Sequence, residues 1–252
     1  MIHCNRRCKI MLKVRESETI EEICRENPDI RRFLSELEDN HKFTISKISH
    51  EIRNPVTLIN SFLQLLEVRY PELSGDDYWK KVMDNMQFLR SLLDELSSYN
   101  NSNRVVRSEA NIYAILSEIV ESARPTLEQD QITIQLIKKT ALPTLPLDTV
   151  KMQQTFYNFI RNAHEAIGTH GAITISLETD GSDITIQISD TGKGIPAEHM
   201  SELFKPFVTY KKDGTGLGLS IAKGVIEAHN GTIQVDSTEG EGTTISVILP
   251  IC

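Results

Sequence analysis

No run of apolar residues in this 252-residue chain is longer than a few positions, whereas a helix that spans a bilayer needs about 20. No membrane span is expected in it. The segment from Met1 to Lys13 carries basic residues but neither an apolar stretch nor a small-residue cleavage site, so it reads as neither signal peptide nor anchor. Cysteine is scarce: Cys4, Cys8, Cys24 and Cys252. That excludes a disulfide-stapled miniprotein, and His3, Cys4 and Cys8 fit no common zinc spacing. Free thiols in a reducing cytosol are the expectation. A basic excess is also missing, with 27 Lys and Arg against 35 Asp and Glu and a net charge of -8. Nucleic-acid binders usually present a basic face, so no nucleic-acid partner is expected. Internal repeats and low-complexity tracts are absent too. What is present, 39% hydrophobic and 25% charged residues, suits an ordinary globular chain of one or two domains.

The pattern changes three times along the chain. Residues 1–40 are charged and helix-prone. Thr19 with Glu22 forms a possible capping box, Asn27 to Asp29 marks a break with Pro28 at a first helical position, and Ile30, Phe33, Leu34 and Leu37 make a stripe. This stretch is expected to be a helical lead-in. From 43 to 70, Ile45, Ile48, Ile52, Ile59, Phe62 and Leu66 recur at helical steps. Pro71, Ser74 and Gly75 supply a turn, and Asp76 or Asp77 can cap a second helix over 78–99. There Trp79, Val82, Met86, Leu89, Leu93 and Leu96 repeat as a heptad. Such a hairpin alone buries little; two copies make a four-helix bundle. Asn100 to Asn103 reads as a polar linker. Beyond it helices (112–123, Asp148–Ile167, 217–228) alternate with strands (132–137, 173–177, 184–188, 232–235, 244–249), which predicts helices on one face of a mixed sheet.

Four constellations carry chemistry. His50 lies about 200° around its helix from Ile48, away from the apolar stripe, with Glu51 beside it and Asn54 one turn on. Pro55 removes a hydrogen bond to the Glu51 carbonyl. An isolated histidine of this kind is usually an inert surface residue. Asn158 and Asn162 are i, i+4 partners on one helix face, and an amide oxygen is a hard donor suited to Mg2+. Asp190-Thr191-Gly192-Lys193-Gly194 follows a strand, where a carboxylate can accept from an amino group such as that of adenine. Gly214-Thr215-Gly216-Leu217-Gly218 opens a helix, an arrangement of backbone N–H groups suited to phosphate. No Lys-Ser/Thr pair follows the last glycine, so it is not a Walker A loop. The third glycine of a dinucleotide fingerprint would fall at Leu219. Each also has a plainer reading: surface asparagines, an Asp-Gly turn, a flexible cap.

Taken in this order, the four resemble the boxes of sensor histidine kinases of two-component systems. His50 to Pro55 looks like their H box, Asn158 to Ala163 their N box, Asp190 to Pro196 and Gly214 to Ser220 their glycine boxes, and Phe204 to Phe207 their F box. The resemblance covers about residues 43–250. It implies an α+β fold: a helical hairpin forming a dimeric four-helix bundle, followed by an α/β two-layer sandwich that binds ATP. The domains would be a lead-in at 1–40, a dimerisation and phosphotransfer hairpin at 41–103 and a catalytic ATP-binding domain at 104–252.

By the same resemblance, His50 takes the γ-phosphoryl group of ATP, Glu51 is its base, and the group passes to an aspartate of a response regulator. Asn54 matches a water-positioning residue in members with phosphatase activity. Asn162 holds Mg2+, with Asn158 nearby, and Asp190 reads adenine. Gly192 and Gly194 shape the nucleotide wall. Lys211 or Lys212, in a lid over 196–213, reaches the phosphates, which Gly214, Thr215, Gly216, Leu217 and Gly218 cradle. Two departures stand out: Tyr210 where a small hydroxyl residue is frequent, and Glu165 where some members place Lys. Input domain and membrane helices are not seen, so the chain reads as a cytoplasmic kinase fed by a partner or as a piece of a longer protein. Rival readings are a gyrase-like ATPase on the same nucleotide fold, a kinase relic serving as scaffold, and a serine kinase of the anti-sigma type. None of these needs His50.

Overall fold

A computed structural model describes residues 28–211 and 214–251. The possible capping box at Thr19 and Glu22, the four cysteines, and Lys212 lie outside the described residues. The chain divides into two compact units, one ending at Pro55 and one beginning at Val56.

Helix α1 (Pro28–Arg69) runs unbroken past residues 40–41 and through Pro55. In the first unit Ile48 and Ile52 are exposed. Ser49 is buried, and its hydroxyl donates to the Ile45 carbonyl at 2.7 Å.

In the second unit a 3₁₀ turn (Pro71–Gly75) leads into α2 (Asp77–Asn101). The N-cap is Asp76, whose carboxylate accepts from the N–H groups of Tyr78 (2.8 Å) and Trp79 (3.0 Å). That satisfies two of the helix's orphan donors. The predicted heptad splits in two. Met86 and Leu93 turn inward to pack with Val56, Leu63 and Leu96, while Val82 and Leu89 stay exposed. On α1, Ile59, Phe62 and Leu66 are likewise exposed.

The linker expected at Asn100–Asn103 is corrected. Asn100 and Asn101 form the last turn of α2, and Ser102 is 4% exposed. The physical reason is tertiary. The Lys151 ammonium is bonded to the carbonyls of Asn101 and Arg104, with that of Ser102 at 3.5 Å, and a cation at a helix C-terminus offsets its dipole.

The rest of the unit is a sheet with helices against it. In chain order come β1 (Ser108–Ala110), α3 (Ile112–Gln129), β2 (Ile132–Lys138), β3 (Leu145–Leu147), α4 (Thr149–Ile167), β4 (Gly171–Thr179) and β5 (Asp183–Asp190). They are followed by α5 (Ala197–Met200), α6 (Gly218–Ala228), β6 (Thr232–Thr238) and β7 (Gly242–Pro250). The five-stranded sheet has the order β2-β4-β5-β7-β6, with β2 and β4 parallel and the other pairs antiparallel. β1 and β3 form a small separate ladder.

Alternation drives the layering. Ile173, Ile175 and Leu177 of β4 and Ile184, Ile186 and Ile188 of β5 are buried, and the residues between them are partly exposed. One sheet face thus meets Leu116 of α3, Met152, Phe156 and Phe159 of α4 and Ile226 of α6 in a single core. The expected α/β two-layer arrangement is what forms. Helix α3 continues past its predicted end at Ala123, through Pro125, because Leu127 on its last turns is buried in that core. No helix among the described residues is long and apolar enough to cross a membrane.

Candidate nucleotide site

The predicted residues of the second unit gather where α4, the end of β5 and the start of α6 meet. Helix α4 begins at Asp148, whose carboxylate accepts from the Lys151 N–H at 3.1 Å. Its inner face carries Phe156, Phe159 and Ala163 into the core, which leaves Asn158 and Asn162 on the other side.

Asn158 lies against the first turn of α6. A side chain at Gly218 would place its first carbon 2.8 Å from both Oδ1 and Nδ2 of Asn158, so only glycine admits the amide there. Asn158 Oδ1 accepts from the Arg161 guanidinium at 3.2 Å. Its Nδ2 is buried and has no hydrogen-bond partner among the described residues, an orphan donor of the kind that a ligand or water satisfies. Asn162 Oδ1 accepts from Lys211 Nζ at 2.8 Å. The same ammonium pairs with Glu165, which sequence reasoning noted only as a departure. No sequence signal joins Lys211 to residues almost fifty positions earlier; the fold does.

Asp190 ends β5, half-buried. Its Oδ1 accepts from the Gly192 N–H at 2.8 Å. Burial pushes its carboxyl above the usual carboxylate range, and the N–H groups of Gly192 and Thr243 pull against that shift. Gly192 rests on Ala166 of α4, and Gly194 has φ +66 with its α-carbon facing the Thr238 carbonyl. Both glycines follow β5 where the backbone passes close to its neighbours.

The second glycine stretch leads into α6. Gly214 lies beside Thr209, and Gly216 (φ +71) gives its carbonyl to the Phe207 N–H at 3.0 Å. Leu217 is fully buried, and its N–H donates to Thr215 Oγ1 at 3.3 Å. The Thr215 hydroxyl also donates to Glu95 of α2, and Arg161 lies 3.8 Å from the same carboxylate. Glu95 was not anticipated, because nothing in a helical heptad marks it. In the expected lid, the Tyr210 ring stacks on His199 with centroids 3.6 Å apart, and its hydroxyl donates to Glu202 at 3.3 Å.

His50, Glu51 and Asn54 are all exposed on α1, in the first unit. Asn162 and Glu165 present hard oxygens of a kind that could hold a metal, and these already hold a cation, the lysine ammonium. Among the described residues no cluster of three or more His, Cys, Asp or Glu is placed to bind a metal. A divalent ion here would take the rest of its coordination from phosphates and water, as Mg2+ commonly does.

Residues 147–252 match the model of the histidine kinase-, DNA gyrase B-, and HSP90-like ATPase family. The chain is 29% identical over 205 residues to the sensor histidine kinase ZraS of Escherichia coli K12, which covers 81% of this chain and 44% of that one. It is 32% identical over 223 residues to the sensory histidine kinase/phosphatase NtrB of Vibrio alginolyticus, covering 83% and 62%. It thus spans about half the length of such relatives. Among solved structures, full-length ShkA in complex with AMPPNP superposes with a TM-score of 0.70 at 23% identity, over 82% of this chain and 45% of that one, a likeness of fold. An ATPase domain of this family, in a chain that also carries a helix with an exposed His-Glu pair, makes the chain similar to sensor histidine kinases over most of its length.

Proposed function

We propose that the chain is an ATP-dependent protein-histidine kinase. In this reading it autophosphorylates His50 and passes the phosphoryl group to an aspartate of a response regulator, as a homodimer in the cytoplasm. The observation that supports it is the exposure of His50 beside Glu51, in a chain that also carries a domain of the ATPase family. A gyrase-like ATPase needs only the ATPase domain.

Each residue then has a task. The Asp190 carboxylate accepts from the adenine amino group, and the buried Asn158 Nδ2 finds an acceptor on the nucleotide. The glycine loop offers backbone N–H groups and the α6 N-terminus to the phosphates. Bound Mg2+, held by Asn162, would neutralise charge between the phosphates. The His50 Nε2 lone pair forms an N–P bond to the γ-phosphorus as the bond to the bridging oxygen breaks and ADP leaves. The Glu51 carboxylate takes the ring proton. Positioning and charge neutralisation supply most of the catalysis in such transfers.

The homodimer rests on the hairpin. Ile59 (48% exposed), Phe62 (63%), Leu66 (41%), Val82 (44%) and Leu89 (42%) form a second apolar stripe, beside the one already buried. Exposed apolar residues repeating at helical spacing suit an interaction face, and a second hairpin covers it as a four-helix bundle. The hairpin at 41–103 and ATP-binding domain at 104–252 are the working parts in this reading.

The test is incubation with γ-labelled ATP. Wild type should acquire acid-labile, base-stable label, and His50→Gln none; label persisting in the variant would overturn the assignment. A second arm addresses the reverse reaction. Asn54→Ala should autophosphorylate normally yet dephosphorylate a phosphorylated response regulator more slowly, and an unchanged rate would remove Asn54 from that role.

A further inference from the structure

The Lys211 ammonium touches two oxygens of α4 at once. It lies 2.8 Å from Asn162 Oδ1 and is paired with a Glu165 carboxylate oxygen. Three positions apart on one helix, these oxygens face the same side. A positive charge supplied by the lid therefore already sits between them. An amide oxygen and a carboxylate oxygen are the hard donors that Mg2+ accepts beside phosphate oxygens.

We propose that Glu165 is a second protein ligand for the divalent cation that accompanies the nucleotide, sharing it with Asn162, and that Lys211 is a place-holder displaced when the metal arrives. This rests on the nucleotide-binding reading above. Asn162 alone offers a neutral donor, so it would hold the metal mainly through the phosphates. Glu165 adds a full negative charge, which changes the logic of the site.

Without a divalent ion, that carboxylate faces a polyanionic nucleotide, and like charges repel. Arg161 lies 3.7 Å from Glu165 but also serves Asn158 and Glu95, so its charge is shared. With the ion in place, the same carboxylate attracts. Glu165 thereby makes the metal a condition of nucleotide binding rather than an aid to it. The displaced Lys211 keeps three donors, which are then free for the phosphates. If Glu165 served only to anchor the lid through Lys211, neutralising it would not alter the dependence on metal.

The experiment compares ADP affinity of the full chain in Mg2+ and in EDTA. It also follows Mn2+ binding to the protein–ADP complex by the electron paramagnetic resonance signal of free Mn2+. Wild type should bind ADP far more tightly with Mg2+. Glu165→Gln should narrow that gap several-fold, by weakening the Mg2+-loaded complex and strengthening the metal-free one, and should lower Mn2+ affinity several-fold. Lys211→Met should raise Mn2+ affinity, since the place-holder is gone. An equal gap in wild type and Glu165→Gln, with unchanged Mn2+ binding, overturns the ligand assignment and leaves nucleotide binding standing. No ADP binding by wild type under either condition overturns both.

Discussion

A buried imidazole that accepts one hydrogen bond and donates another cannot take up a proton without losing the first. His229, 5% exposed, is in this position. Its Nε2 accepts from the Asp148 N–H at 2.9 Å, so its Nδ1 proton goes to the Val225 carbonyl at 2.7 Å. Burial lowers its pKa below the ordinary 6.5; the Val225 hydrogen bond and the Asp148 charge oppose that shift, and the charges of Arg107 and Lys151 add to it. The unfolded chain therefore takes up a proton at a pH where the folded chain does not. The stability due to neutral His229 is complete above about pH 6.5 and declines as pH falls through the folded-state pKa beneath it. Urea midpoints taken between pH 7.5 and 5 should fall, and His229→Gln should flatten that dependence; a slope unchanged in the variant would contradict this. Nothing in the linear pattern singles out His229, since a histidine after a helix is common. Asn158, Asn162 and Asp190 were legible because amide and carboxylate groups at those spacings suit only a few chemistries. The contacts of Glu95 and Glu165 were not, because both are made across the fold.

Elements repeat the lesson at larger grain. β4 and β5 could be read from strict alternation, and α4 from its Asp148 cap and periodic apolar face. β1 and β3 span three residues each, too short for any period to show, and only their mutual pairing makes them strands. Helices α2 and α3 outran their sequence limits where buried Ser102 and Leu127 outweigh the poor helix propensity of Asn and Pro. The hairpin shows what periodicity leaves open. A heptad names the apolar positions without saying which pack within the chain and which are left outside. Val82 and Leu89 are outside, as is Phe62 on α1. If the hairpins pair as proposed, replacing Phe62 with Lys should turn that dimer into a monomer at micromolar concentration in light scattering. Secondary structure by circular dichroism should be retained, since Val56, Met86 and Leu93 still pack. A mass unchanged by the substitution would contradict the proposed pairing through this stripe.

Across the second unit, the short segment after α2 is held from both sides. Lys151 of α4 binds the carbonyls at the end of α2. Arg107 donates to the Ala228 carbonyl of α6, and Asp148 accepts from the Val106 N–H at 2.9 Å. Burial alone would raise the Asp148 carboxyl, but its bonds to the N–H groups of Val106 and Lys151 outweigh that and hold it low. Lys151→Met should leave the core folded yet speed amide hydrogen exchange in residues 102–107 by about tenfold or more, as local opening costs less. Exchange as slow as in wild type would show that the ammonium is not needed. The consequence is mechanical. A loose tether would let α2 turn while α4 and α6 stayed behind. Clamped at each end, these residues leave little slack, so a twist of α2 would be passed on to α4 and α6 instead of being absorbed between them.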